Sequence, residues 1–230
     1  MKLHTWTDLA ADGSVKAIKY SFGPATANTL AARLDDGTWL AVSPAAGLPE
    51  GALEELAKDG VSALVAPNGF HHMGQSPWRA RFPKAVSYAP AGSLARLASK
   101  SKDVAYQPLD ELVKLLPKRI RFILPEGTKI PDLLMSVGID GGNVFFSGDL
   151  ISNTVSEDVK PVPRFIFGLL GGGAGYRFNK VPAALYLRDR AGWKRSVLES
   201  LEASPPTVVL PAHGNPIRED AAAQTRAILV

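Results

Sequence analysis

Short apolar runs closed by turn clusters set the pattern of the first half of the chain. Lys16–Phe22, Thr29–Leu34 and Thr38–Ser43 carry β-branched or aromatic residues and read as strands, with Asp35-Asp36-Gly37 between the last two as a hairpin signal. Pro49 then opens a helix in which Leu53, Leu56 and Ala57 recur at helical spacing and which Gly60 ends. Val61–Ala66 is an apolar strand closed by Pro67-Asn68-Gly69, and Ala85–Tyr88 is another. Ser93–Ser99 and Leu109–Leu116 show helical stripes. A second strand group follows at Arg119–Leu124, Leu133–Ile139 and Asn143–Ser147, with Gly141-Gly142 as a tight turn. Helices are expected at Pro163–Leu170 and Ala191–Ala203, a buried strand at Thr207–Leu210, and a closing alanine-rich helix from Arg218 to Val230. Two strand groups, each with its own helices, predict two sheets packed together with helices outside, in one domain spanning residues 1–230.

Composition narrows the chemistry. With 230 residues and 46% hydrophobic content the chain can bury a full core. The net charge of +4 is spread along the chain without a dense basic block, which favours anionic small molecules mildly and gives no nucleic-acid footprint. The absence of cysteine removes disulfides, thiolate metal ligands and thiol nucleophiles. Met1–Asp12 lacks the apolar core of a secretory signal, and the apolar stretch Phe165–Ala174 is too short and glycine-rich to span a bilayer. A cytoplasmic location away from membranes is the expectation.

Three segments share one design, an apolar strand running into a turn that carries metal-capable residues. They are Ala63–Ala66 into His71-His72, Val144–Phe146 into Asp149, and Val208–Leu210 into His213-Gly214. Strand ends hold side chains firmly while the loops beyond them stay accessible. Each piece alone has an ordinary explanation: adjacent histidines in a loop are mostly polar surface, and an aspartate after a strand is often a turn residue. Trp78, Arg79, Arg81 and Lys84 form a basic–aromatic cluster, most simply a solvated face with one tryptophan tucked in, with Arg79 and Arg81 as candidates for attracting an anionic substrate. The run Gly171–Gly175 lacks the Lys-Ser/Thr ending of a phosphate loop and is expected to be a hinge or lid. The chain contains no GxSxG elbow, so no Ser–His–Asp nucleophile is expected.

Gly69-Phe70-His71-His72-Met73-Gly74 resembles the end of the HxHxDHxGG motif of the metallo-β-lactamase superfamily. Phe146-Ser147-Gly148-Asp149-Leu150 resembles its later GD motif, and Pro211-Ala212-His213-Gly214 its closing HG motif, in the same order along the chain. The resemblance implies a four-layer αββα sandwich. It also implies a reduced site, because Pro67 and Gly69 stand where the first two motif histidines belong and Glu126-Gly127-Thr128 stands at the mid-chain histidine. One of the family's two metal positions is thereby dismantled. The other becomes His71, His72, Asp149 and His213, with His71 in place of an aspartate. The implied function is a hydrolase in which one divalent metal per chain, zinc first with iron or manganese as alternatives, activates water against an ester, lactone, amide or phosphoester. His72 and Asp149, at the least altered positions, would matter most to catalysis. The rival reading is a catalytically silent protein of the same fold that binds a small molecule or a partner in the cleft.

Overall fold

A computed structural model describes residues 1–159, 161 and 173–230. The helix expected at Pro163–Leu170 and the first two glycines of the 171–175 run lie outside the described residues. Among the described residues, one sheet holds seven strands in sequence order: β1 (Trp6–Asp8), β2 (Val15–Phe22), β3 (Ala25–Arg33), β4 (Trp39–Val42), β5 (Val61–Val65), β6 (Val86–Ala89) and β7 (Tyr106–Pro108). It runs antiparallel from β1 to β4 and parallel from β4 to β7. The turn between β3 and β4 is the expected one: Gly37 takes φ +84° and its N–H reaches the Leu34 carbonyl at 3.0 Å, a backbone shape that suits a residue without Cβ.

The second layer comes in two pieces. A four-stranded sheet orders β13 (Val208–Leu210), β10 (Gly142–Phe146), β9 (Leu134–Ile139) and β8 (Ile120–Ile123). A three-stranded sheet orders β12 (Gly175–Phe178), β11 (Ile151–Thr154) and β14 (His213–Gly214). The parallel pair β10–β13 continues, after a break at 147–150 and 211–212, as the parallel pair β11–β14. Both strands break at the same level, and the Ala212 N–H bonds the Gly148 carbonyl across the gap at 3.1 Å.

Strand periodicity sorts the side chains into layers. Leu30, Leu40, Val42, Ala63 and Val65 of the first sheet face Met135, Val137, Val144, Phe146, Val208 and Leu210 of the second in one inter-sheet core. The alternate residues Ala31, Trp39, Ala41 and Leu64 pack outward with Leu56 of α1 (Glu54–Ala57) and Trp78 of α2 (Gln75–Arg81). On the other side Leu134, Phe145 and Val209 pack with α5 (Lys180–Tyr186), α6 (Arg190–Ala203) and α7 (Ala221–Leu229). Trp193, Val197 and Leu201 recur every fourth residue and bury one stripe of α6, whose first turn is capped by the Asp189 carboxylate accepting from Gly192 N–H at 3.0 Å. The smaller α3 (Leu94–Lys100) and α4 (Leu109–Val113) follow β6 and β7. The result is helix, sheet, sheet, helix, as the sequence pattern predicts.

The differences have local causes. The strand β11 reads Ile-Ser-Asn-Thr, without an apolar alternation, because Ser152 and Asn153 bond to Asn179 and Asn215 and not to a core. The last helix starts at Ala221 and not at Arg218, because Asp220 sits at φ +43°, outside the helical region. No helix among the described residues is long and apolar enough to cross a membrane.

Candidate metal centre

The break in the second layer is where the chemistry gathers. Gly148 holds φ +65°, turning the chain after β10 so that Asp149 points back between the layers. Asp149 is buried, and its Oδ1 lies 2.9 Å from His71 Nε2 and 3.3 Å from His213 Nε2. The three side chains offer ligand atoms all within 4.8 Å of one another. His71 hangs from the loop after β5, and Asp149 and His213 from the two broken strands, so both layers contribute.

The second Asp149 oxygen is committed elsewhere. Its Oδ2 accepts from the Tyr186 hydroxyl at 3.0 Å and from Asn68 Nδ2 at 2.9 Å. Asn68 also donates to Asp132 Oδ1 at 2.9 Å, while Asp132 Oδ2 accepts the Asp149 N–H at 2.9 Å. Burial raises the Asp149 carboxyl, but the flanking His71 and His213 outweigh it and hold the group well below the usual carboxylate range. Burial and the neighbouring Asp149 push the Asp132 carboxyl up.

The two histidines differ in their far nitrogens. His213 Nδ1 sits 2.8 Å from the Thr26 carbonyl of β3, which can only accept, so Nδ1 carries a proton and the ring, when neutral, presents its lone pair at Nε2. Burial lowers the His213 pKa, but the Asp149 carboxylate more than offsets this and the net shift is upward. His71 Nδ1 instead meets the Ser43 hydroxyl at 2.7 Å. The loop bearing His213 is itself fixed by Asn28, whose Nδ2 donates to the Pro211 and Gly214 carbonyls at 2.8 Å each.

Three of the four expected ligands therefore converge. His72 does not join them: its Nδ1 is buried without a hydrogen-bond partner among the described residues, burial lowers its pKa, and its charged neighbours include Arg96 and Lys100. Adjacent residues in a turn point in different directions, so one of the pair faces Asp149 and the other does not. Arg79 and Arg81 lie on α2, away from the cavity lining, and Arg81 pairs with Glu54 at 3.0 Å. Ser43, Asn68, Asp132 and Tyr186 escaped the sequence reading. Only Asn68 carried a signal, as the middle of a Pro-Asn-Gly turn, and that signal indicated a turn.

The cluster opens on a cavity of about 110 Å³ lined by Tyr20, Phe22, Phe70, Met73, His71 and His213, among others. No lysine or arginine lines it among the described residues. The position that the sequence resemblance assigns to a second motif histidine is crowded, because a Cβ on Gly69 would sit 2.7 Å from the Arg96 side chain, which donates to the Gly69 carbonyl and lies 4.1 Å over the Phe70 ring.

The architecture recurs among solved structures. A metallo-β-lactamase from Hirschia baltica aligns with TM-score 0.58 at 14% identity, over 98% of each chain. One from Erythrobacter litoralis, with β-mercaptoethanol in its active site, aligns with TM-score 0.60 at 16% identity, over 97% of this chain and 95% of its own. FIM-1 from Pseudomonas aeruginosa, in its mono-zinc form, aligns with TM-score 0.58 at 18% identity, over 100% and 96%. No protein-family model and no curated protein sequence matches the chain. The protein has the metallo-β-lactamase fold. It is a divergent member of that fold, with a candidate metal triad of two histidines and one aspartate at the broken strand pair.

Proposed function

We propose that the protein is a metal-dependent hydrolase of small, uncharged esters or lactones, holding one divalent ion, zinc in the first instance, with His71, Asp149 and His213. The observation that carries this reading is the approach of two imidazole Nε2 atoms to one carboxylate oxygen at the mouth of a mainly apolar cavity. The donor set fits: two imidazoles and a carboxylate make the three-ligand shell of a catalytic zinc site with a position left open, and the same set suits iron(II) or manganese. A bound ion would supply a nucleophilic water at neutral pH. The chain's own residues do the rest. Asp149 is held ionised, Thr26 fixes the His213 Nδ1 proton, and Phe22 and Phe70 line the cavity with apolar surface for an acyl group. FIM-1, solved in a mono-zinc form, gives precedent for one zinc on this scaffold.

One ion per chain is the expected stoichiometry. Asp149 Oδ2 is taken by Asn68 and Tyr186, so this carboxylate offers one oxygen to an ion, and Pro67 and Gly69 supply no imidazole for a second one. The rival, a silent binding protein, draws support from the same contacts, since His71, His213, Asn68 and Tyr186 satisfy Asp149 without an ion. Two measurements decide between them: metal content after dialysis, and turnover of chromogenic esters, lactones and phosphodiesters with added zinc, manganese or iron(II). Ester or lactone hydrolysis that needs metal and is lost in His213→Ala supports the proposal. Absence of both bound metal and turnover sinks it in favour of the rival.

A further inference from the structure

Ser43 sits at the end of β4 with φ +58°, a left-handed backbone that costs a residue with a side chain about 1–2 kcal/mol relative to glycine. It is completely buried. Its main chain is fully used, the N–H bonding the Val65 carbonyl at 2.9 Å and the carbonyl accepting from Thr29 Oγ1 at 2.6 Å. Glycine would make the same backbone bonds at lower cost. What glycine lacks is the hydroxyl, and that hydroxyl lies 2.7 Å from His71 Nδ1 and 3.3 Å from the Tyr20 hydroxyl.

A hydroxyl at this point has a property that a carbonyl or carboxylate lacks, because it both donates and accepts. In the metal-free arrangement His71 Nε2 lies 2.9 Å from Asp149 Oδ1, which requires the proton on Nε2. In the neutral ring Nδ1 is then an acceptor and Ser43 donates to it. A metal needs the Nε2 lone pair, which puts the proton on Nδ1. Ser43 must then accept, turning its own proton toward the Tyr20 oxygen. His213, facing the Thr26 carbonyl, has no such choice at its Nδ1.

We infer that Ser43 is a positioning residue that lets His71 exchange tautomers, so that the ring is satisfied facing Asp149 without metal and facing the ion with it. Starting from the neutral ring, one proton leaves Nε2 to solvent as one reaches Nδ1 from solvent. Ser43 is not a nucleophile, because its buried hydroxyl meets only His71 and Tyr20 among the described residues. This inference rests on the metal reading above.

The test compares wild type, Ser43→Gly and Ser43→Ala without metal and with zinc. Three properties are read: thermal unfolding, zinc affinity by chelator competition, and the protonated nitrogen of His71 by long-range proton–nitrogen NMR. In wild type the proton should move from Nε2 to Nδ1 on adding zinc. Ser43→Gly should unfold within a few degrees of the wild-type temperature, since relief of the strained backbone offsets the lost hydroxyl bonds, yet bind zinc about ten- to a hundredfold more weakly. A residue serving only the fold would show the opposite pairing. Equal zinc affinity in wild type and Ser43→Gly, or a His71 proton on the same nitrogen in both states, overturns the inference while leaving the metal reading intact. Failure of wild type to bind zinc overturns both.

Discussion

Replacing Gly148 with alanine tests whether the buried Asp132 positions Asp149. Gly148 sits at φ +65°, where a Cβ costs about 1–2 kcal/mol. The same Cβ would lie 2.5 Å from Asp132 Oδ2 and 2.8 Å from its Cγ, well inside contact distance. Asp132 has no room to retreat, because it is completely buried and accepts from Asn68 and from the Asp149 N–H. Losing one such bond in the interior costs a further 1–3 kcal/mol or so. The sum, about 2–5 kcal/mol, lowers Tm by roughly 5–20 °C in a domain of this size. Gly141→Ala is the matched control: its φ is +77°, but a Cβ there meets nothing within 4 Å. It should cost only the backbone share, a drop of about 2–8 °C. Melting both variants by circular dichroism isolates the Asp132 contact as their difference. Equal Tm values for the two would refute the claim that Asp132 is wedged against the turn carrying Asp149.

Three further outcomes are expected. His213→Ala should abolish measurable zinc binding, whereas His72→Ala should leave the affinity within about threefold, a ratio checked by the same chelator competition; comparable losses would mean that the His72 ring turns inward when metal is present. Tyr186→Phe removes a bond to the ligand carboxylate and should weaken zinc about tenfold or more in calorimetry without changing the stoichiometry. The Asp158 carboxyl is pushed up by burial, but its bonds with Lys19, 2.8 Å away, and its neighbours outweigh this and depress its pKa. Its stability contribution is therefore present above the unfolded value near 3.8 and lost as pH falls through the lower folded value. In urea titrations Asp158→Asn should cost about 3–5 kcal/mol at neutral pH and flatten that part of the acid-side decline; an unchanged acid limb would remove Asp158 from the explanation.

Much of this was legible in the sequence, for a physical reason. The inter-sheet core depends on period-two alternation, and alternation survives in the letters: Val144-Phe145-Phe146 and Val208-Val209-Leu210 each send their middle residue to one side and the outer two to the other. The three strand-end turns were visible because a metal-capable residue directly after an apolar run is a local pattern. Which of His71 and His72 faces inward is not local. It depends on Asp149, 78 residues further on, and on Ser43, 28 residues earlier. Asp132 and Tyr186 were invisible for the same reason, since a buried carboxyl and a core tyrosine look ordinary until Asp149 lies beside them. Arg79 and Arg81 suggested an anion subsite because charge is easy to see in a sequence, but direction is not.

The Thr26 carbonyl that fixes His213 belongs to the first sheet, while His213 itself belongs to the second layer. The centre is thus a joint between two slabs and not a fixture on either one. Sliding one slab past the other by even a fraction of an ångström would separate donors that must meet at a point, long before the apolar interior registered the change. An ion seated there would act as a dowel, adding resistance to shear far out of proportion to its size. Conversely, the affinity for such an ion would gauge how well the slabs are aligned.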